Sequence, residues 1–161
     1  MRHLLPLVVL FSFTAPYAWA APESFTGREI PPIPVGCEDK GGGILDRDDK
    51  YADHYLLCNG YEIILLERFV ERREKKAYWN VIDELRLPLL KHGRTVLSRP
   101  LCQSSKYSES AILAVGIWGP TREDNSFVAK EISNAWRFNL KEGKIQPIPT
   151  NSVICEGENA D

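Results

Sequence analysis

The N-terminal segment constrains what the rest of this chain can become. Arg2 and His3 precede an apolar run from Leu4 to Ala15 that is broken only by Pro6, Ser12 and Thr14. Ala18-Trp19-Ala20 then places small residues at the two positions a signal peptidase reads. A basic start, an apolar stretch and a small-residue cleavage site, in that order, predict a secretory signal peptide over residues 1–20, removed after Ala20. The 17 residues from Leu4 to Ala20 lie at the bottom of the spanning range and contain Pro6 and Pro16, which argues against a retained anchor. The first cysteine is Cys37, far from the cleavage point, so no lipid tether is expected. The expected product is periplasmic or secreted, with no stable membrane insertion.

That address decides how the cysteines are read. Cys37, Cys58, Cys102 and Cys155 all follow the signal. An even count in an exported chain predicts two disulfides. A metal site would need closely spaced ligands, whereas the shortest cysteine spacing is 21 residues and only His54 and His92 remain after cleavage. Three pairings are open; Cys37–Cys58 with Cys102–Cys155 is favoured because each would tie an irregular segment to a neighbouring element. Either link would contribute about 3–4 kcal/mol by restricting the unfolded chain. Bonded cysteines cannot act as thiolate nucleophiles.

The 141 residues left after cleavage suffice for one domain with one core. Cleavage removes Arg2 and no acidic residue, leaving 19 basic against 22 acidic side chains. That balance disfavours nucleic acid as a partner. The most basic stretch, ERFVERREKK from Glu67 to Lys76, sets five basic residues against three glutamates and reads as a solvated hairpin end.

Residues 21–36 hold four prolines and no periodicity, predicting an extended arm laid over the body through Ile30, Ile33 and Val35. Residues 37–161 form the predicted domain. Gly41-Gly42-Gly43 and the following DRDDKYAD lack the Gly-Lys-Ser/Thr of a phosphate loop. Asp46, Asp48 and Asp53 lack the turn glycine and closing glutamate of a calcium loop. A surface loop bounded by a disulfide is the expectation. YEIILLERFV and AYWNVIDELRLP predict a strand–turn–strand, with one long helix as the competing reading. SAILAVGIW, apolar on both faces, predicts a central strand closed by Gly119-Pro120. From the caps Asn125-Ser126, the positions Val128, Ile132, Ala135 and Trp136 predict the one main helix. KIQPIP and SVIC predict edge strands. The predicted fold is α+β: an antiparallel sheet, one main helix in the C-terminal half and two disulfides.

No nucleophile elbow, zinc-protease helix, Walker loop or dinucleotide fingerprint is present, and no catalytic, metal or cofactor residue is assigned. His54 and His92 are candidate bases, with Asp53 or Asp83 as partners after folding, but nothing places a nucleophile beside them. Asp83 and Glu84, adjacent in a strand, would point to opposite faces. The segment QSSKYSES, Gln103 to Ser110, is predicted to be a partly pre-organised polar loop, with Lys106, Tyr107 and Ser108 as partner contacts.

WNVIDELRLP (79–88), AWRFNLKEGKIQPIP (135–149) and VICEGEN (153–159) resemble segments of an uncharacterised family of small exported, periplasmic proteobacterial proteins. The resemblance covers residues 55–159. It implies an envelope location and an α+β fold, and carries no catalytic residue across. The expected role is a non-enzymatic protein-binding module whose partner is another envelope protein. One specific form is an immunity or inhibitor protein against a cell-wall hydrolase. The alternative is a small periplasmic hydrolase with a site that spacing does not reveal.

Overall fold

The computed structural model describes residues 23–97, 101–108 and 111–158. The predicted signal peptide, Glu109 and Ser110 of the proposed contact loop, and Asn159 lie outside the described residues.

Among the described residues the protein is an all-β sandwich of two antiparallel sheets, not the expected α+β fold. The first sheet has the order β1-β5-β4-β3-β2, with β1 Glu29–Ile30, β2 Cys37–Ile44, β3 Tyr51–Cys58, β4 Tyr61–Arg73 and β5 Lys76–Pro88. The second runs β6-β8-β9-β11-β7, with β6 Thr95–Leu97, β7 Cys102–Ser104, β8 Ile112–Trp118, β9 Ser126–Asn139 and β11 Val153–Glu158. β10, Lys144–Pro147, pairs with β9 alone. Among the described residues, helical geometry is confined to a single 3₁₀ turn at Thr150–Ser152.

Residues 61–88 resolve as two strands. Glu74 and Lys75 both adopt positive φ, the geometry of a two-residue hairpin turn whose twist matches its flanking strands. Asn59-Gly60 does the same between β3 and β4. β4 carries four consecutive buried aliphatics, Ile63 to Leu66. Strand alternation sends Ile64 and Leu66 between the sheets, against Leu113 and Phe138, while Ile63 and Leu65 face the N-terminal arm. A residue buried on this scale stabilises by about 1.5–3 kcal/mol, so β4 is the spine of the first sheet.

The predicted helix is the 14-residue strand β9. Its pairing with β8 shifts twice, leaving Ser133 and Lys130 as extra residues. Each β-bulge turns a same-face spacing of two into three. Ala129, Ile132 and Ala135 therefore share one face at apparently helical intervals, while Trp136 and Phe138 face the other sheet. Gly116 sits at one of these shifts because a Cβ there would lie 2.2 Å from the Glu131 carbonyl oxygen. β8 is central, as expected, with Ile112 and Ala114 on one face and Leu113 on the other.

The outer face of the first sheet is covered by the arm. Phe25 and Ile30 are buried there and Ile33 packs beside them, whereas Val35 is fully exposed. Backbone bonds from Gly27 N to Val81 O and from Val81 N to Arg28 O stitch the arm to β5. The outer face of the second sheet is closed by Leu97, Ile148, Val153 and the Cys102–Cys155 disulfide.

Both disulfides, Cys37–Cys58 and Cys102–Cys155, join residues directly opposite one another in neighbouring strands. Their Cα separations of 4.1 and 4.0 Å suit non-hydrogen-bonded pairs. The favoured pairing forms, but it links strand to strand rather than loop to element.

Candidate functional site

The glycine run is not a loop. Gly41 to Gly43 belong to edge strand β2, which is bulged between Asp39 and Gly42. A Cβ on Gly42 would stand 2.1 Å from the Asp53 carbonyl oxygen, so only glycine lets β2 lie this close to β3. The Asp53 carboxylate accepts from Gly43 N at 2.8 Å, and Asp39 Oδ1 accepts from Gly41 N at 2.7 Å. Asp39, the last regularly paired residue before the bulge, stands opposite Leu56 on the first sheet's outer face.

His54 meets it there. His54 Nε2 donates to Asp39 Oδ1 at 2.9 Å, and His54 Nδ1 lies 3.4 Å from Glu67 Oε1. The second contact is an ion pair rather than a directed hydrogen bond, and Glu67 Oε1 is buried without a hydrogen-bond partner. Glu67 follows Ile63 and Leu65 on the arm face of β4, and only 2 % of its surface is exposed. Its cross-strand neighbour is Ala52, whose small side chain leaves space above it. The space is a cleft of about 470 Å³, with His54 and Glu67 at its floor and Ile30, Ile33 and Trp79 in its walls.

The electrostatics follow from this geometry. Glu67 first, then Asp39, raise the His54 pKa to about 9 against the opposing effect of burial. Asp39 is held below the usual carboxylate range, by Gly41 N–H and then by His54. At neutral pH the imidazole is a cation between two carboxylates, with both nitrogens engaged. A base in that state is poorly matched to proton abstraction. The described residues lining the cleft include no hydroxyl, thiol or amine side chain. The arrangement suits holding a group rather than attacking one.

The expected partners of the histidines are placed elsewhere. Asp53 turns to Gly43, and Asp83 accepts from Ile145 N at 2.7 Å and Lys144 Nζ at 3.2 Å, bridging to β10. Glu84 points the opposite way and accepts from Phe25 N. His92 lies in the exposed β5–β6 turn. Asp46 accepts from Lys50 N and Tyr51 N, and Asp48 pairs with Lys50. Among the described residues, no three His, Cys, Asp or Glu side chains are grouped to hold a metal ion.

The segment proposed for partner contact is only partly a loop. Gln103 and Ser104 lie in β7, and Tyr107 stacks under the Arg137 guanidinium at 4.5 Å against the core. Lys106 and Ser108 are exposed. Asp39 and Glu67 were not among the sequence candidates. Glu67 was placed in a solvated hairpin end, which fits Arg72 to Lys76 but not Glu67 itself. The alternation Ile63, Leu65, Glu67, Phe69 was the available signal, since it puts an acid on an apolar face.

No protein-family model matches this chain, and no curated protein or solved structure is significantly similar to it.

Proposed function

We propose that this protein is a non-enzymatic binding module of an oxidising, extracytoplasmic compartment, and that it engages another envelope protein at the cleft beneath its N-terminal arm. The observation that carries this reading is His54, protonated between Asp39 and Glu67 with both ring nitrogens engaged, on a cleft whose described lining holds no hydroxyl, thiol or amine side chain. Two disulfides fit an oxidising environment. No helix among the described residues is long and apolar enough to cross a membrane. At the cleft mouth stands Ile44, 40 % exposed on edge strand β2, an apolar contact beside acidic groups.

The test places a photo-crosslinking amino acid at Ile44 in the exported protein and, as a control, at the exposed Leu89. One defined adduct from Ile44, competed away by unlabelled protein and not formed from Leu89, is expected. Equal adducts from both positions, or none from Ile44, would remove the cleft as the contact site. Intact mass of the purified protein should begin at Ala21 and be four hydrogens lighter than the reduced form.

A further inference from the structure

We propose that the cleft receives a basic side chain, lysine or arginine, presented by the partner polypeptide. This rests on the reading of the cleft as a binding site, and names the chemistry of its occupant.

Three features of the cleft specify that chemistry. First, its charge is unbalanced. His54 carries the one positive charge of the lining against three carboxylates, Asp39, Asp53 and Glu67, so negative charge remains in excess. Glu67 is the critical member because it is almost wholly buried, its Oε1 makes no hydrogen bond, and its ion-pair partner is held at 3.4 Å. A buried carboxylate oxygen served only by a long ion-pair contact is poorly compensated, and an incoming N–H donor at normal distance improves that.

Second, the walls are apolar. Ile30, Ile33 and Trp79 enclose the route to Glu67, which matches the methylene stem that lysine and arginine carry behind the charge. Trp79, half-buried and set edge-on to Phe69 at 5.4 Å, adds an aromatic surface that attracts a cation. A metal ion or inorganic cation has no methylene stem to bury against Ile30 and Ile33.

Third, the mouth lies along β2, where Gly41 and Gly43 present no side chain and Ile44 is exposed. A side chain can enter while its own backbone stays outside against Ile44, which favours a polypeptide over a free amine.

The experiment follows the Trp79 indole N–H by NMR as the isolated protein is titrated with capped short peptides. The peptides are identical except for one central residue: lysine, arginine, acetyl-lysine or norleucine. Cadaverine serves as the free amine. Saturable shifts of the Trp79 signal are expected with lysine and arginine, and at least tenfold weaker binding with acetyl-lysine and norleucine. Glu67→Gln should weaken the lysine peptide at least tenfold. If that variant does not fold, the acetyl-lysine comparison in the unaltered protein decides the question alone. Equal binding of norleucine, no response to lysine, or a folded Glu67→Gln variant that binds normally would each overturn the proposal. Cadaverine binding as tightly as the lysine peptide would overturn the polypeptide as the source.

The two readings fail separately. If Ile44 cross-links its partner undiminished in the Glu67→Gln protein, the binding module stands and the basic-side-chain inference falls. If the lysine peptide binds but Ile44 captures no partner, the reverse holds.

Discussion

The two outer faces of the sandwich began from similar sequence and ended differently. Each belongs to a central strand that is apolar on both sides: β4 in the first sheet, β8 in the second. The outer face of the second sheet is closed mainly by its own strands, with Ile148 added from the segment after β10, and its core is sealed by Ile112, Ala114, Ala135 and Cys155. The outer face of the first is covered by the arm, residues 23–36, which adds only the two-residue edge strand β1 to the sheet and is otherwise held by a few backbone bonds and a pair of buried side chains. The covering is incomplete, and His54 and Glu67 lie where it stops. A face closed by its own sheet serves stability; a face closed by an added segment leaves room for a polar site.

That contrast can be broken or sharpened by measurement. The largest effect is expected from the disulfides. Replacing Cys102 and Cys155 by serine opens a link of sequence separation 53, and should cost about 4 kcal/mol in urea unfolding. Replacing Cys37 and Cys58, separated by 21, should cost about 3 kcal/mol. The reverse order would mean that local packing, rather than chain closure, sets their contribution.

Next come the two apolar covers. Ile112→Ala should cost about 4 kcal/mol, near the upper part of the range for a buried aliphatic, because the strands around it cannot collapse. Ile30→Ala should cost about 2 kcal/mol, because the arm can shift. Hydrogen exchange gives an independent check: the amides of Gly27 and Val81, bonded across the arm, should exchange by local opening, faster than those of β8. Equal costs and equal protection would show the arm to be as integral as a strand.

An effect of comparable size is expected from pH. The folded-state pKa of His54 is raised to about 9, above its ordinary value of 6.5. Its contribution is therefore fully present below about pH 6.5 and is lost as pH rises through about 9. The loss is at most about 3 kcal/mol. Unfolding measured from pH 6 to 10 should show this decline, and His54→Gln should flatten it. Asp39 acts in the other direction: its depressed pKa supplies stability at neutral pH that disappears as pH falls through the lowered value. The smallest effect belongs to Arg73→Ala, which removes exposed pairs with Glu29 and Glu71 and should leave the urea-unfolding midpoint nearly unchanged.

Much of the first sheet was legible in sequence. YEIILLERFV and AYWNVIDELRLP carry β-branched and aromatic residues at strand length, and they form β4 and β5. The strand before them was overlooked, although Asn59-Gly60 between Leu57-Cys58 and Tyr61-Glu62 is a strong hairpin signal. β9 was misread for a physical reason. Two bulges displace its same-face residues to intervals of three, and a helix has nearly that period. Bulges arise from pairing with β8, so nothing within residues 126–139 announces them.

For the site, His54 was identifiable as a titratable group in the right segment, but its partners were not. Asp39 lies 15 residues away and reaches His54 only across the paired strands β2 and β3; Glu67 lies on the next strand. Of the expected contact residues, Lys106 and Ser108 are exposed, and the half-buried Tyr107 ring stacks with the Arg137 guanidinium.

The chain's own residues determined what is local or compositional: apolar strands at the right length, turns with the right chemistry, and four cysteines spaced for cross-links rather than for a metal. Which cysteines face each other, whether Glu67 is solvated or buried, and which residues surround His54 were decided only when strands paired. Register and bulges are properties of two strands at once, and a single residue's pattern cannot encode its neighbour across a sheet.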